Sequence, residues 1–344
     1  MKNRVDWIDY AKGIGIILVV YGHVARGLYS AGLGLPTNIQ KLIDSIVYSF
    51  HMPLFFFLSG LFFYDSLLKR GSRNLVFNKI DTIIYPYLIW SLLQGVTEVF
   101  LSNYTNGNVT LSVVLAVWEP RAQFWFLYIL FIVFIVCTLM YSLINEKMHF
   151  IILIFAIFIY VQKSILPNYL ILNFLYDNLI FFVFGIVFTR YKMCEKLIYQ
   201  KSLYLTLVLF ITGQYLFHGH LDAVYTQKGI ESLILALISI LFIVSLSISF
   251  SKSSHRYIAL LGASSMAIYL MHILAGAGTR VLLSKVFNIE SVTIHLMVGC
   301  IAGLILPLLA LKIIGGLRIP YVFRAPISNS LDILAEVLSK RISK

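Results

Sequence analysis

Apolar residues run along this chain in long blocks separated by short polar stretches. Blocks of spanning length fall at about residues 8–26, 46–64, 80–100, 123–144, 149–163, 170–189, 202–218, 230–250, 258–277 and 293–316. A run of about 20 apolar residues crosses a bilayer as an α-helix. The pattern predicts an all-α protein, a polytopic membrane bundle of about ten transmembrane helices, with the fifth and sixth short and closely joined. There is no internal repeat, and no matched pair of broken segments of the kind that marks many transporters. Gly299-x-x-x-Gly303 in the last block predicts a close helix contact.

Composition agrees with the pattern. Of 344 residues, 60% are hydrophobic and 12% charged, with mean hydropathy +0.88. Soluble domains are about 25% charged, so no separate soluble domain is expected. The first block is broken by Asp9 and Lys12 and does not read as a cleavable signal peptide. The net charge of +12 points to membrane topology, not to nucleic acid. With the N-terminus inside, 20 of the 27 basic residues fall in cytoplasmic segments and 7 outside. That bias predicts a multi-pass protein of the cell (inner) membrane with both termini cytoplasmic. Residues 1–325 form the membrane domain, and 326–344 are an amphipathic tail read as a helix on the cytoplasmic surface. Asn103-Tyr-Thr and Asn108-Val-Thr match a short glycosylation pattern. Cys137, Cys194 and Cys300 are scattered, with no metal-ligand or disulfide spacing.

Candidate chemistry begins in the first block. On a helix, Asp9, Lys12 and His23 share one face, with Lys12 and His23 about 16 Å apart along the axis. Polar groups inside a bilayer are costly unless they face a protein interior or a wet cavity. The stripe therefore reads as the wall of a site; the alternative is that Asp9 and Lys12 pair at the boundary and Lys12 snorkels. His51 in the second block, Tyr269 and His272 in the ninth and Trp125 in the fourth fall at the same depth as His23, in the outer half. Histidine is the side chain best suited to exchange protons near neutral pH. His51 also precedes a proline and suits a helix start, His272 suits a bond to a neighbouring helix, and Trp125 suits an interfacial belt. The three histidines are zinc-ligand types, but nothing fixes a ligand geometry and no metal is assigned. His149, His218, His220, His255 and His295 lie in loops or at span ends and receive no role. Lys12, Arg70, Arg73 and Lys79 gather at the cytoplasmic side, as topology determinants or as a phosphate-binding set.

These residues resemble the membrane acyltransferase-3 family, in particular its fucose 4-O-acetylase-like branch. Asp9-x-x-Lys-Gly-Ile with Val-Val-Tyr-Gly-His23 resembles the family's basic-x10-His signature, with Lys12 in place of the commoner Arg. Phe50-His-Met-Pro-Leu-Phe-Phe-Phe-Leu-Ser-Gly60 is very close to its second-span motif. Trp125-Phe-Leu127, Gly262-x-x-Ser265-x-x-Ile-Tyr-Leu-x-His272 and Lys79 through Tyr85-Pro-Tyr87 also match, in the family's order. One stretch departs: the family often has Arg-x-x-Arg directly before the third span's proline, where this chain reads Lys79-Ile-Asp-Thr82. Arg70-Gly-Ser-Arg73 has that spacing further upstream.

The resemblance implies an O-acyltransferase that moves an acyl group, usually acetyl from acetyl-CoA, to a hydroxyl of a cell-surface glycan or its lipid-linked precursor. Catalytic candidates are then His23, Asp9, His51, Tyr269 and His272. Donor candidates are Lys12, Arg70, Arg73 and Lys79; acceptor candidates are Trp125 and Ser59. His23 acts as general base or carries the acyl group itself. A transporter or flippase of lipid-linked sugars, or a structural partner in a glycan-assembly complex, would share the span count and intramembrane charge.

Overall fold

The computed structural model describes residues 6–102, 109–253 and 255–329. Among them there are fifteen α-helices and no strand. In chain order these are α1 Asp6–Ser30, α2 Thr37–Tyr48, α3 His51–Gly60, α4 Phe63–Lys79, α5 Tyr85–Phe100, α6 Leu111–Leu115, α7 Trp125–Leu143 and α8 His149–Val161. They continue as α9 Leu170–Arg190, α10 Cys194–Leu197, α11 Gln200–Tyr215, α12 Ile230–Lys252, α13 Arg256–Ala263, α14 Ser265–Val281 and α15 Val292–Gly316. The two Asn-x-Thr sites at Asn103 and Asn108, and the tail from residue 330, lie outside the described residues.

Every apolar block is helical, and eight stretches have the length and hydropathy of a span. The protein is thus a multi-pass membrane helix bundle, with eight clear spans where about ten are expected from the blocks. The other two blocks fall short for physical reasons. α8 has 13 residues, about 20 Å of helix against a hydrocarbon core of about 30 Å. α11 carries Gln200, Lys201, Ser202, Thr206 and Gln214 among its apolar residues.

Both nevertheless run beside a full-length neighbour. Arg190 at the end of α9 bonds Glu146 just before α8 at 2.8 Å, and Lys163 just after α8 bonds Asp177 of α9 at 2.7 Å. α8 is therefore antiparallel to α9 and lies along its Asp177–Arg190 part. α11 pairs with α12 in the same way, from Lys252 on the Ile198 carbonyl (2.8 Å) to Gln214 on Ser239 (3.5 Å).

Two blocks and one linking helix are broken, each at a residue that explains the break. The second block is α2 followed by α3, separated at Ser49–Phe50. Pro53 has no N–H to donate to a preceding turn, so it is tolerated only near the start of a helix. α4 is interrupted at Gly71, whose φ of 73° suits glycine. The ninth block splits at Ser264. There α13 doubles back along α1, with Gly13 facing the Ile258 carbonyl and Gly262 pressed on the Asp9 carbonyl. A Cβ on Gly262 would fall 1.6 Å from that oxygen.

α1 is the axis of the bundle and packs on α3, α12, α13, α14 and α15. Its buried face includes Ala11, Gly15, Ile16, Val19, Val20 and Gly22. Val24 and Val20 of α1 meet Gly299 and Gly303 of α15, as the Gly-x-x-x-Gly spacing predicts. A second seam joins α3 to α9. A Cβ on Gly60 would lie 2.0 Å from the Phe182 carbonyl, and one on Gly185 2.2 Å from the Phe57 carbonyl. Helices without a hydrophobic driving force between them associate by such close backbone packing. Phe57 edges Phe188, and Phe63 edges Phe182, alongside that seam.

After α15 the chain folds back over the start of α5. Tyr85 donates to the Tyr321 carbonyl at 2.6 Å and Trp90 to the Val322 carbonyl at 3.0 Å. The buried Asp81 carboxylate takes the Ser328 backbone N–H at 2.8 Å and its hydroxyl at 2.6 Å.

Candidate active site

α1 carries its polar stripe from one end of the bundle to the other. Asp9 and His23 are fourteen residues apart, about 21 Å along the helix. They therefore belong to different ends, and Asp9 is not among the groups around His23.

The His23 end holds a cavity of about 860 Å³. Its wall is mostly apolar, and six ionisable or basic groups interrupt it: His23, Arg26, Glu98, His272, Arg280 and His295. α1, α5, α14 and α15 each contribute. His23 is half-buried. Among the described residues no hydrogen bond holds its ring. The ring centroid of His272 lies 5.1 Å from that of His23. His51 lies near enough to His23 to interact with it electrostatically.

His51 and His272 are fixed in the same manner. The His51 Nδ1–H donates to the Val47 carbonyl at 2.8 Å, bridging the break between α2 and α3. The His272 Nδ1–H donates to the Tyr269 carbonyl at 2.8 Å and the Ile268 carbonyl at 3.1 Å. A carbonyl only accepts, so Nδ1 carries the proton in each ring and Nε2 keeps a lone pair when the ring is neutral. Both Nε2 atoms are buried and unbonded. The reading of His51 as a helix-start residue is thus correct, and it also presents a basic nitrogen.

Arg26 fixes the same corner. It forms a two-point bond to Asp44 at 2.6 and 2.7 Å and donates to Tyr225 at 2.9 Å. Its guanidinium lies 3.3 Å over the Tyr48 ring, and Tyr48 meets His51 edge to face with ring centroids 4.3 Å apart. Gly22 leaves room for that ring against α1.

Tyr269 does not face the cavity. Its hydroxyl donates to the Gln123 carbonyl and locks α14 to the start of α7. The Gln123 side chain donates to Gln94 at 2.6 Å, Gln94 donates to Glu98 at 2.8 Å, and Glu98 pairs with Arg121. This polar chain runs from behind the histidines to the cavity wall at Glu98.

The two acceptor candidates lie elsewhere. Trp125 stacks on Phe174 at 4.6 Å, and Ser59 donates back to the Phe55 carbonyl at 2.8 Å. Neither contributes to the cavity wall. Trp125 is the start of an aromatic stack, and Ser59 satisfies itself within α3.

At the Asp9 end the basic residues are spread out. Arg70 and Arg73 flank the Gly71 kink and are exposed, with Arg73 over the Phe77 ring at 5.3 Å. Ser72 between them reaches Ser142 at the end of α7, at 2.8 Å. Lys79 is partly buried, its ammonium 4.2 Å from the Phe134 ring centre, and it feels the charge of Arg70. Among the described residues neither Arg70 nor Lys79 is bonded to a carboxylate. Lys12 is half-buried on the α1 stripe. Asp9 lines a smaller hollow of about 460 Å³ with Asp6, Arg256 and Tyr257.

The sequence left out several of these groups. His295 is 1% exposed, its Nε2–H on the Ile289 carbonyl at 2.7 Å, and it belongs to the cavity wall instead of a loop. Arg26, Glu98 and Gln123 are polar residues at the margins of apolar blocks and Gln94 lies inside one, and that cost is the signal that finds them. His149 is also not a bare loop residue: it is buried, bonded to Arg190 at 3.1 Å and edged by Tyr141. Among the described residues, no three His, Cys, Asp or Glu side chains converge as a metal-ligand set.

A family model described as an acyltransferase domain matches residues 5–312. The chain is 30% identical over 138 residues to the nodulation protein NolL of Mesorhizobium japonicum, covering 39% of this chain and 35% of that protein. It is 27% identical over 208 residues to the nodulation protein NolL of Sinorhizobium fredii, covering 59% and 54%. The match thus spans about half, or less, of these relatives' own length. No solved structure matches the chain.

Proposed function

Because the chain belongs to the acyltransferase-3 family, we propose that it is an integral membrane O-acyltransferase. It transfers acetyl from cytoplasmic acetyl-CoA to a hydroxyl of a cell-surface glycan or its lipid-linked precursor. The observation that carries this reading is the His23 cavity: a half-buried imidazole on the wall of a volume large enough for a sugar, backed by buried basic nitrogens. The charge bias supports a reading with that cavity on the outer side of the inner membrane and the Arg70–Arg73 turn in the cytoplasm.

The step follows from these placements. The acceptor hydroxyl gives its proton to His23 while its oxygen attacks the thioester carbonyl. The new C–O bond forms, the C–S bond breaks, and the CoA sulfur takes the proton back from His23. CoA is polyanionic, and Lys12, Lys79, Arg70 and Arg73 supply positive charge on the side it comes from. Its pantetheine arm carries the thioester into the bundle toward His23.

The test is transfer of label from acetyl-CoA to methyl glycosides by purified full-length protein in lipid nanodiscs. It is paired with mass spectrometry of surface glycans from cells with and without the gene. Label in a glycoside ester and a matching acetyl loss from the glycan support the reading. Transport of a lipid-linked sugar without acetyl transfer would overturn it. Sidedness is read separately: a Ser72→Cys variant reachable by membrane-impermeant reagent only from outside would reverse the orientation.

A further inference from the structure

We propose that His272 is a positioning residue for His23. It lies behind the His23 ring and accepts a hydrogen bond from it, which selects one tautomer of His23. This rests on the reading of His23 as the general base.

Four observations lead there. The His272 ring is held by two carbonyls of its own helix, at 2.8 and 3.1 Å, so its Nδ1 is a committed donor. That leaves Nε2 as an acceptor, and an imidazole nitrogen with a lone pair in a dry interior is costly without a donor. Nε2 is buried and unbonded, and the residue, part of the cavity wall, is only 1% exposed. The ring of His23 lies beside it, with ring centroids 5.1 Å apart and planes inclined by 59°.

His23 is the complementary case. No hydrogen bond holds its ring among the described residues, so its tautomer is not set by backbone. A rotation of the His23 ring brings one N–H onto the His272 Nε2. The other His23 nitrogen then carries its lone pair toward the acceptor hydroxyl. When His23 takes the proton, both of its nitrogens donate, and the His272 lone pair faces the new positive charge. The logic is that of a base oriented by a third group, here a neutral imidazole where other sites use a carboxylate. Catalytic hydrogen bonds of this type are commonly loose before substrate binds.

The ring that orients the base is itself anchored. Tyr269 supplies one of the carbonyls that fix His272, and the Tyr269 hydroxyl is bonded to the Gln123 carbonyl. The α14 turn from Tyr269 to His272 is thereby held from α7.

The experiment compares His272→Leu with His272→Gln in nanodiscs, using labelled acetyl-CoA and the best acceptor from a panel of methyl glycosides. Leucine fills space and accepts nothing; glutamine retains an acceptor oxygen. His272→Leu should lower kcat roughly 10- to 100-fold, as loss of the orienting partner of a metal-bound histidine does, with the KM for acetyl-CoA unchanged. His272→Gln should recover most of that loss. In a His23→Gln background, His272→Leu should add nothing, because a residue that acts through His23 has no base left to orient. Equal losses in the Leu and Gln variants, or losses that multiply in the double variant, would overturn the proposal. A His23→Gln protein that retains activity would instead overturn the general-base reading. A wild-type protein that esterifies no glycoside overturns both.

Discussion

The two ends of this bundle are built differently. At the His23 end, four helices converge on a cavity, and the imidazoles of His51 and His272 are fixed by backbone carbonyls at 2.8 Å. At the Asp9 end, the basic side chains sit on separate stretches, and Arg70 and Arg73 project from a helix broken at Gly71. One end is arranged by distance and direction, the other by charge alone. Proton transfer demands the first: base and hydroxyl must lie within hydrogen-bond reach. Attraction of a polyanion needs only the second. The contrast teaches where substitutions should be severe and where they should be graded.

The largest effect is expected at His23. A general base is typically worth about 10²–10⁴-fold in rate, roughly 3–5 kcal/mol of barrier. His23→Ala should remove that much acetyl transfer while the protein still inserts, as judged by its level in membranes. His23→Gln should not restore it, since an amide accepts no proton at neutral pH. His220→Ala is the matched control, because His220 is exposed. A His23→Gln protein with more than about a tenth of the activity would put His23 among the structural groups.

Next comes the seam that joins the two ends. Gly60→Val places methyl groups against the Phe182 carbonyl, where even a Cβ would lie 2.0 Å away. Overpacking of a tight contact costs about 1–3 kcal/mol, so the variant should melt at lower temperature in nanodiscs and lose activity at both ends together. A variant that melts like wild type but loses only acceptor turnover would mean that α3 serves the cavity directly.

The third step tests the stripe on α1. Lys12→Ala should raise the KM for acetyl-CoA about tenfold, near 1.4 kcal/mol for one charge-assisted contact, and leave kcat largely intact. Lys12→Arg should keep most of the affinity, because it keeps the charge. Loss of kcat with an unchanged KM would move Lys12 from donor binding to the chemical step.

How much of this was legible in the sequence depends on what each feature requires. The apolar blocks give the helices, since length and hydropathy suffice to mark them. They do not show that the second block breaks before Pro53, that the helix after it kinks at Gly71, or that α13 doubles back from Ser264. Those outcomes depend on local backbone chemistry that the count of apolar residues does not carry. The stripe of Asp9, Lys12 and His23 is visible because helical spacing is regular, and His272 is visible as a polar group in an apolar block. Helical spacing also gives the gap of about 21 Å between Asp9 and His23, but only the cavity shows that the groups around His23 gather at one end, without Asp9. His295 is hidden in the sequence because a block margin looks like a loop, although the helix α15 begins before it. The Tyr269–Gln123–Gln94–Glu98–Arg121 chain links three distant stretches, and only the packing of α5, α7 and α14 brings them together.

The smallest effect is expected at Arg70 and Arg73, and it is the most direct probe of the difference between the ends. Both side chains are exposed, so water and salt screen whatever they attract. Exposed charge contacts are worth about 0.2–1 kcal/mol each. Arg70→Ala and Arg73→Ala should therefore each raise the KM for acetyl-CoA by no more than about fivefold, with kcat unchanged. The effect should shrink as salt is raised, because the Debye length falls from about 10 Å at 0.1 M to about 3 Å at 1 M. Lys79 provides the internal reference. It is partly buried against Phe134 and close to Arg70, so Lys79→Ala should cost more and resist salt better. If the Arg70 and Arg73 variants leave KM unchanged at low salt, these residues act only to orient the chain in the membrane. If they lower kcat in a salt-independent way, the Gly71 turn belongs to the reacting centre, and the separation of the two ends fails.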